Sequence, residues 1–243
     1  MQLFAPLTNR SLLSKTVEDA IVEAIQKQKL EPGTKLPSEM ELCEQFGVSR
    51  TVVREALRVI HSRGLIQIIK GKGMFVREFS GQNAADPLHF YLRMNFNRSY
   101  VMDIVHARQI LEPAIVALAS LHRSDEDIKR MAHDIELLKT CADDFVELSR
   151  IDTQFHVDVA KASGNSLMPL LLEPIHRLIP EIKSTVYATV KEARESAVMW
   201  HEKILEEIIR GNDVSSRQAM EEHLRIAEDH AERMLSAASK TDD

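Results

Sequence analysis

The stretch that most constrains this chain is Gly47-Val48-Ser49-Arg50-Thr51-Val52-Val53-Arg54-Glu55-Ala56-Leu57-Arg58. Val48, Val52, Val53, Ala56, Leu57 and Ile60 form an apolar stripe at helical spacing. Arg50, Arg54 and Arg58 recur every fourth residue and line one exposed face. Ser49 suits the N-cap and Gly64 the stop. Three arginines on a solvated helix face are common in themselves, so the flanks decide. Ser38 to Phe46 reads as a second short helix, with Ser38 and Glu41 spaced as a capping box and Gly47 as the turn that follows. Two helices joined this way make a helix-turn-helix, whose second helix fits a DNA major groove. Leu65–Ile69 and Met74–Val76 then read as strands around Lys70-Gly71-Lys72-Gly73, where glycine permits the positive φ of a tight turn. A basic hairpin tip beside a recognition helix is a wing.

The net charge of −6 argues against nucleic acid if taken whole, but its distribution does not. Residues 1–78 hold 12 Lys and Arg against 9 Asp and Glu, and the remainder holds 19 against 28. A basic face on an acidic chain fits a DNA-binding module joined to something else. No run of 18 apolar residues occurs, which leaves membrane spans out of the reading. The N-terminus lacks the basic and apolar regions of a signal peptide, so the expected compartment is the cytoplasm, with Cys43 and Cys141 as reduced thiols.

Leu13 to Gln28 is an amphipathic helix expected to support the helix-turn-helix, with residues 1–10 a loose arm before it. Residues 79–85 read as a linker, followed by a short helix from Pro87 to about Phe96. From Ser99 onward the pattern is helical: Tyr100–Leu121 with Pro113 as an expected kink, Ser124–Thr140, Asp143–Ala162, Ser166–Ile179 broken at Pro180, Glu181–Val190, Glu192–Arg210 and Asp213–Ala238, with a frayed tail. The expected fold is therefore mainly α: a winged helix-turn-helix with a small β-hairpin wing over residues 1–78, a linker and short connecting helix over 79–99, and an all-α bundle over 100–238.

Asp152, His156, His201 and His223 stand out in that bundle. Asp152 and His156 are four apart, on a stripe with Leu148, Phe155 and Val159. His201 leads Ile204, Leu205 and Ile208, and His223 lies among Ala219, Met220 and Ala227. All four thus point inward from three helices. Each alone reads as a satisfied core residue; together, neutral imidazoles and a carboxylate also suit a divalent transition metal. A buried Asp152 needs a cation or strong donors. Arg108 shares an inward stripe with Ile104, Leu111 and Ile115, and two partners stay open for it: an internal carboxylate, Glu112 or Asp152, or the carboxylate of a bound effector. His61, His89, His122 and His176 form no grouping, and Met94, Met102, Met131, Met168 and Met199 read as core filler.

Pro32-Gly33-Thr34-Lys35-Leu36-Pro37-Ser38-Glu39, the Gly47–Leu57 stretch, Gly64-Leu65 and Gly71–Val76 resemble the winged-helix domain of GntR-family transcription regulators. The resemblance implies that Arg50 and Arg54 contact bases and phosphates, that Ser49 and Thr51 bind phosphate, and that Gly71, between Lys70 and Lys72, reaches the minor groove. Met40 stands where the family has Arg, which bears on operator sequence and not on DNA binding itself. Asp152-Thr153-Gln154-Phe155-His156, Ala162–Asn165, His201, Gly211-Asn212-Asp213 and His223-Leu224 resemble the all-helical FCD effector domain of the FadR-type branch. That resemblance implies that Asp152, His156, His201 and His223 bind a divalent metal, zinc ahead of nickel or manganese, and that Arg108 faces the ligand pocket. The implied protein is not an enzyme. It is a cytoplasmic homodimer that binds an inverted-repeat operator, represses a catabolic operon and answers to a small carboxylate effector. Two other readings are a regulator that senses the ion itself and a metal-dependent hydrolase. Against the hydrolase, no general base is placed and the winged domain would have no role.

Overall fold

The computed structural model describes residues 10–27, 29–77, 81–94 and 98–238. Residues 1–9 of the expected arm, linker residues 78–80 and the tail over 239–243 lie outside them, and Arg10, read as the last residue of the arm, instead begins the first helix. The chain divides into two compact units, residues 1–83 and 84–243.

The first unit holds α1 (Arg10–Gln26), α2 (Glu39–Phe46), α3 (Arg50–Ser62) and an antiparallel hairpin of β1 (Ile66–Ile69) and β2 (Gly73–Val76), paired from Ile66↔Val76 to Ile69↔Gly73. The capping box forms as expected: Glu41 N–H donates to Ser38 Oγ at 3.3 Å, and Ser38 N–H donates to Glu41 at 2.7 Å. Gly47 turns the chain into α3 with a φ of 63°, a left-handed conformation that costs glycine little. Ser49 occupies the N-cap with extended backbone, but its hydroxyl makes no capping bond, contrary to expectation. Val17, Ile21, Leu42, Val53, Leu57 and Ile60 fill the core between the helices, and Met74 and Val76 seal it from the hairpin. Buried Glu18 on α1 takes the Arg63 guanidinium and Lys15, which ties α1 to the end of α3.

Helix α4 (Gly81–Met94) begins three residues before the unit boundary, and the second unit's described residues otherwise form helices and short connections: α5 (Arg98–His122), α6 (Asp125–Thr140), α7 (Phe145–Ala162), α8 (Leu167–His176), α9 (Ile179–Thr189), α10 (Ala193–Arg210) and α11 (Asp213–Ala238). Helix α4 begins inside the stretch read as linker and runs through Pro87. Helix α5 likewise runs on through Pro113. The break expected at Pro180 falls earlier, at Arg177-Leu178, and Pro180 instead sits in the first turn of α9, where its missing N–H has no helical acceptor to lose. Met131 is core filler as expected, but Met94 and Met199 are exposed.

Two large apolar clusters and a small one of Ile115, Ala160 and Leu172 fill this unit, and the central helices cross from one large cluster to the other. Along α5 the order is Val101 and Ile104, then Arg108 and Glu112, then Val116 and Ala119. Along α7, Leu148 and Ile151 lead to Asp152 and His156, with Phe155 and Val159 beyond. Along α10, Ala193 and Ala197 precede His201, and Ile204 and Ile208 follow. Helix α11 crosses in reverse, from Met220 and Leu224 to Met234. A polar layer is thus held between two apolar ones. Helix α5 has the length and composition of a membrane span over Ser99–His122, yet it is the helix against which α7, α10 and α11 pack, and its buried Arg108 and Glu112 belong to that layer.

Candidate functional site

Two arrangements carry chemistry. On the first unit, Ser49, Arg50, Thr51 and Arg54 lie exposed on one face of α3, and Lys70, Gly71 and Lys72 lie exposed at the hairpin tip. A groove lined by Thr51, Arg54, Arg58, His61 and Ile68 runs between that helix and the hairpin. Glu39, the first residue of α2, closes its end. Arg50 Nε donates to Glu39 Oε2 at 2.9 Å, and Arg54 Nε lies 3.7 Å from Oε1. Exposed pairs of this kind add little stability. Their effect is orientation, because one carboxylate holds two arginines to the same side. Sequence reading placed Glu39 in a motif but gave it no partner.

The second arrangement is the polar layer. Helix α7 contributes Asp152 and His156, α10 contributes His201 and α11 contributes His223, all buried. One ring nitrogen from each histidine lies within 4.8 Å of the others. His156 Nε2 and His223 Nε2 are 3.3 Å apart, about the edge of a tetrahedron whose centre-to-nitrogen bonds are ~2.0–2.1 Å. Neither ring nitrogen of His201 has a partner among the described residues, and its ring stacks on Phe155 with centroids 4.0 Å apart.

Around these four stands a ring of groups that orient them. Glu112 on α5 is the hub. Its Oε2 lies 2.6 Å from His156 Nδ1, its Oε1 accepts from Arg108 Nε at 2.6 Å, and His176 Nε2 on α8 lies 3.2 Å from Oε1. A carboxylate at Nδ1 favours the tautomer with the proton on that nitrogen, which leaves Nε2 turned to the cluster with its lone pair free. Asp152 Oδ2 accepts from Lys183 Nζ at 2.7 Å and from the Tyr187 hydroxyl, both on α9, while Oδ1 has no hydrogen-bond donor and lies 3.7 Å from His156 Nε2. The cation that Asp152 requires is therefore Lys183, and one of its oxygens still faces the histidines. Of the internal carboxylates offered to Arg108, Glu112 is the one it pairs with, and its Nη2 is buried without a partner.

Burial alone would raise both carboxyls, yet Glu112 is held well below the ordinary range by Arg108 and His156, and Asp152 is held low by Lys183 and the neighbouring histidines. Burial pushes His156, His201 and His223 down, the last two strongly, with Glu112 opposing at His156 and Asp152 at His201. Tyr187 is pushed well up by burial and by the Asp152 charge, so it donates as a neutral phenol. Buried imidazole nitrogens converging beside an unsatisfied carboxylate oxygen are the donor set of a borderline transition metal, and the residues fit one. Sequence reading missed Lys183, Tyr187 and His176. The signal was faint: Lys183 and Tyr187 are four apart on the same stripe as Ile179, Ile182 and Val186.

Residues 13–76 match the family described as "Bacterial regulatory proteins, gntR family", and residues 103–226 match the FCD domain. The chain is 29% identical to the HTH-type transcriptional regulator LutR of Bacillus subtilis over 84% of its own length and 94% of that protein's. It is 30% identical to the putative L-lactate dehydrogenase operon regulatory protein of Escherichia coli, over 87% and 83%. Among solved structures, the Streptococcus agalactiae GntR superposes with a TM-score of 0.68 at 26% identity, covering 88% of this chain and 98% of that one. With a winged helix-turn-helix ahead of an FCD bundle, the chain belongs to the GntR family of bacterial transcription regulators, in its FadR-type branch, and is not an enzyme.

Proposed function

We propose that this regulator senses a small organic acid at a divalent transition metal held by Asp152, His156, His201 and His223. Zinc suits the donor set first, then nickel or manganese, and the response lifts repression of a catabolic operon. The observation that carries the reading is the set of orphaned polar atoms at one buried point: both ring nitrogens of His201 and Oδ1 of Asp152. Buried groups left unpaired in this way are costly, and an ion would satisfy one His201 nitrogen and Asp152 Oδ1 together. When bound, such an ion supplies a Lewis-acidic point for an incoming carboxylate. The protein does the rest. Glu112 fixes the His156 ring, Lys183 and Tyr187 hold Asp152, and Arg108 keeps one guanidinium nitrogen free beside them. One relative is named for the operon of an L-lactate dehydrogenase, an enzyme of a small hydroxy acid.

In this reading residues 1–78 bind the operator, through Arg50 and Arg54 in the major groove, Ser49 and Thr51 on phosphate, and Lys70, Gly71 and Lys72 at the wing. Residues 79–99 connect, and residues 100–238 sense ligand and pair two chains in the cytoplasm, so that two recognition helices meet an inverted repeat. Effector binding favours one placement of the paired DNA-binding domains over others.

The test is metal analysis of the purified protein beside a thermal-shift screen of small carboxylates. About one ion per chain is expected, and an effector at 100 times its Kd adds about 2.7 kcal/mol of stability. A protein without metal, whose His201→Ala variant still answers an effector on operator DNA, would overturn the reading.

A further inference from the structure

Glu39 is an acid set among the arginines of α3. The capping box of Ser38 and Glu41 fixes the first turn of α2, and Glu39 is the first helical residue of that turn. Its side chain is 32% exposed, whereas the Arg50 and Arg54 side chains that it holds are 74% and 66% exposed. The carboxylate thus lies behind and the guanidiniums in front. Each oxygen takes one arginine: Oε2 accepts from Arg50 Nε at 2.9 Å, and Oε1 lies 3.7 Å from Arg54 Nε. Both contacts are made at Nε. The forked end of a guanidinium, Nη1 and Nη2, is the part that reads O6 and N7 of a guanine, and neither contact uses it.

The groove beside these residues carries the same balance. Arg54 and Arg58 line it together with Glu39 and Glu55, with Leu57 and Ile68 as apolar wall. A face that held DNA by charge alone would be uniformly basic, because each phosphate neutralised adds affinity for any sequence. Here the arginines of α3 share their groove with two carboxylates, and phosphate attraction falls to the exposed Lys70 and Lys72 at the hairpin tip. A carboxylate near the phosphates repels every duplex alike. An arginine held by its Nε offsets that repulsion only at a base that fits its fork.

We propose that Glu39 is a specificity-determining residue: it aligns Arg50 and Arg54 by their Nε atoms and repels phosphate, which widens the gap between operator and other DNA. The inference rests on the reading of α3 as the helix that reads the operator. Glu39 itself reads no base. Long side chains lose much rotamer freedom when a complex forms, and ordering two of them beforehand removes part of that cost from the specific complex. In a non-specific complex an arginine that swings to a phosphate leaves Glu39 behind, an uncompensated anion beside the backbone of the duplex. Exposed pairs of this kind add little to the stability of a fold, so the role of this one lies in DNA binding.

The test is fluorescence anisotropy on the full chain at several salt concentrations. A randomised duplex pool selected on the wild-type protein supplies the operator, and a scramble of the selected sequence is the control. Glu39→Gln is expected to tighten the scramble about three- to tenfold near ~0.1 M salt and to steepen its salt dependence by about one counterion, as loss of one repelling charge does. The operator should gain nothing or weaken, so the ratio of the two affinities falls by about threefold or more. Arg50→Lys keeps the charge but has neither Nε nor fork. It should lower the ratio less in Glu39→Gln than in the wild type, because the two side chains act as a unit. Unfolding curves of Glu39→Gln should stay close to those of the wild type. An unchanged ratio overturns the inference, and equal tightening of both duplexes would make Glu39 a bulk charge and nothing more. If Arg50→Ala and Arg54→Ala both leave operator affinity unchanged, the reading of α3 fails and takes this one with it. If they weaken the operator while Glu39→Gln leaves the ratio alone, only this inference fails.

Discussion

Glu112 takes Arg108, His156 and His176 from three helices with two oxygens, so it carries more of the site than any single ligand does. Glu112→Gln is expected to lower metal affinity about 10–100-fold, as losses of ligand-orienting carboxylates do. It should also cost about 3–5 kcal/mol, because the Arg108 charge is left buried and unpaired. Chelator competition reads the first and denaturant unfolding the second. A further buried carboxyl gives a pH signature. Asp134 on α6 is pushed up to about 7 by burial and by neighbouring Asp158, against the opposing pull of Lys161 and Arg130. Below the unfolded value of 3.8 both states hold the proton. Between there and about 7 the folded state alone keeps it, so stability falls as pH rises and then levels. Asp134→Asn should remove this decline and stabilise the protein at pH 8 by about 1–3 kcal/mol; melting curves from pH 4 to 8 decide it. At this scale the sequence made some side chains legible and hid others. The stripes of α7, α10 and α11 turn Asp152 and the three histidines inward by local periodicity alone. Lys183, His176 and the second role of Glu112 depend on pairings 31, 64 and 44 residues away, and no local pattern encodes those.

Among the elements, α3 was the most legible, because its apolar stripe and its arginine row follow directly from the helical period. Arg54→Ala is expected to lose about 1–3 kcal/mol of operator binding, with discrimination relaxed at the base it reads. Lys72→Ala should weaken all sequences alike and reduce the salt dependence by about one counterion. Fluorescence anisotropy at several salt concentrations separates the two. Helix ends were less legible. The α8–α9 break moved off Pro180 because proline is tolerated in a first turn, and α4 ran through residues read as linker because Gly, Gln and Asn disfavour a helix without forbidding one. Ser49 shows the converse: a residue ideal for capping sits at the cap without making the bond, which leaves its hydroxyl for another acceptor.

For the whole molecule, the charge division anticipated a basic reader joined to an acidic sensor, and each unit has a core of its own. A chain lacking residues 1–78 is therefore expected to fold, and on the proposed pairing to form a dimer; sedimentation at micromolar concentration would show a monomer if the pairing lay elsewhere. The helices that meet at the polar layer also fix when it comes into being. Helix α5 opens the bundle and α11 closes it, and the two pack along each other. During synthesis α5 thus waits for nearly the whole bundle to emerge before its principal neighbour arrives, a contact of high sequence separation and slow closure. His223 is last to join the cluster. On the metal-site reading proposed above, the ion has no complete seat until α11 has been made, so metal capture would mark the end of folding and a chain cut short before His223 would lack that seat.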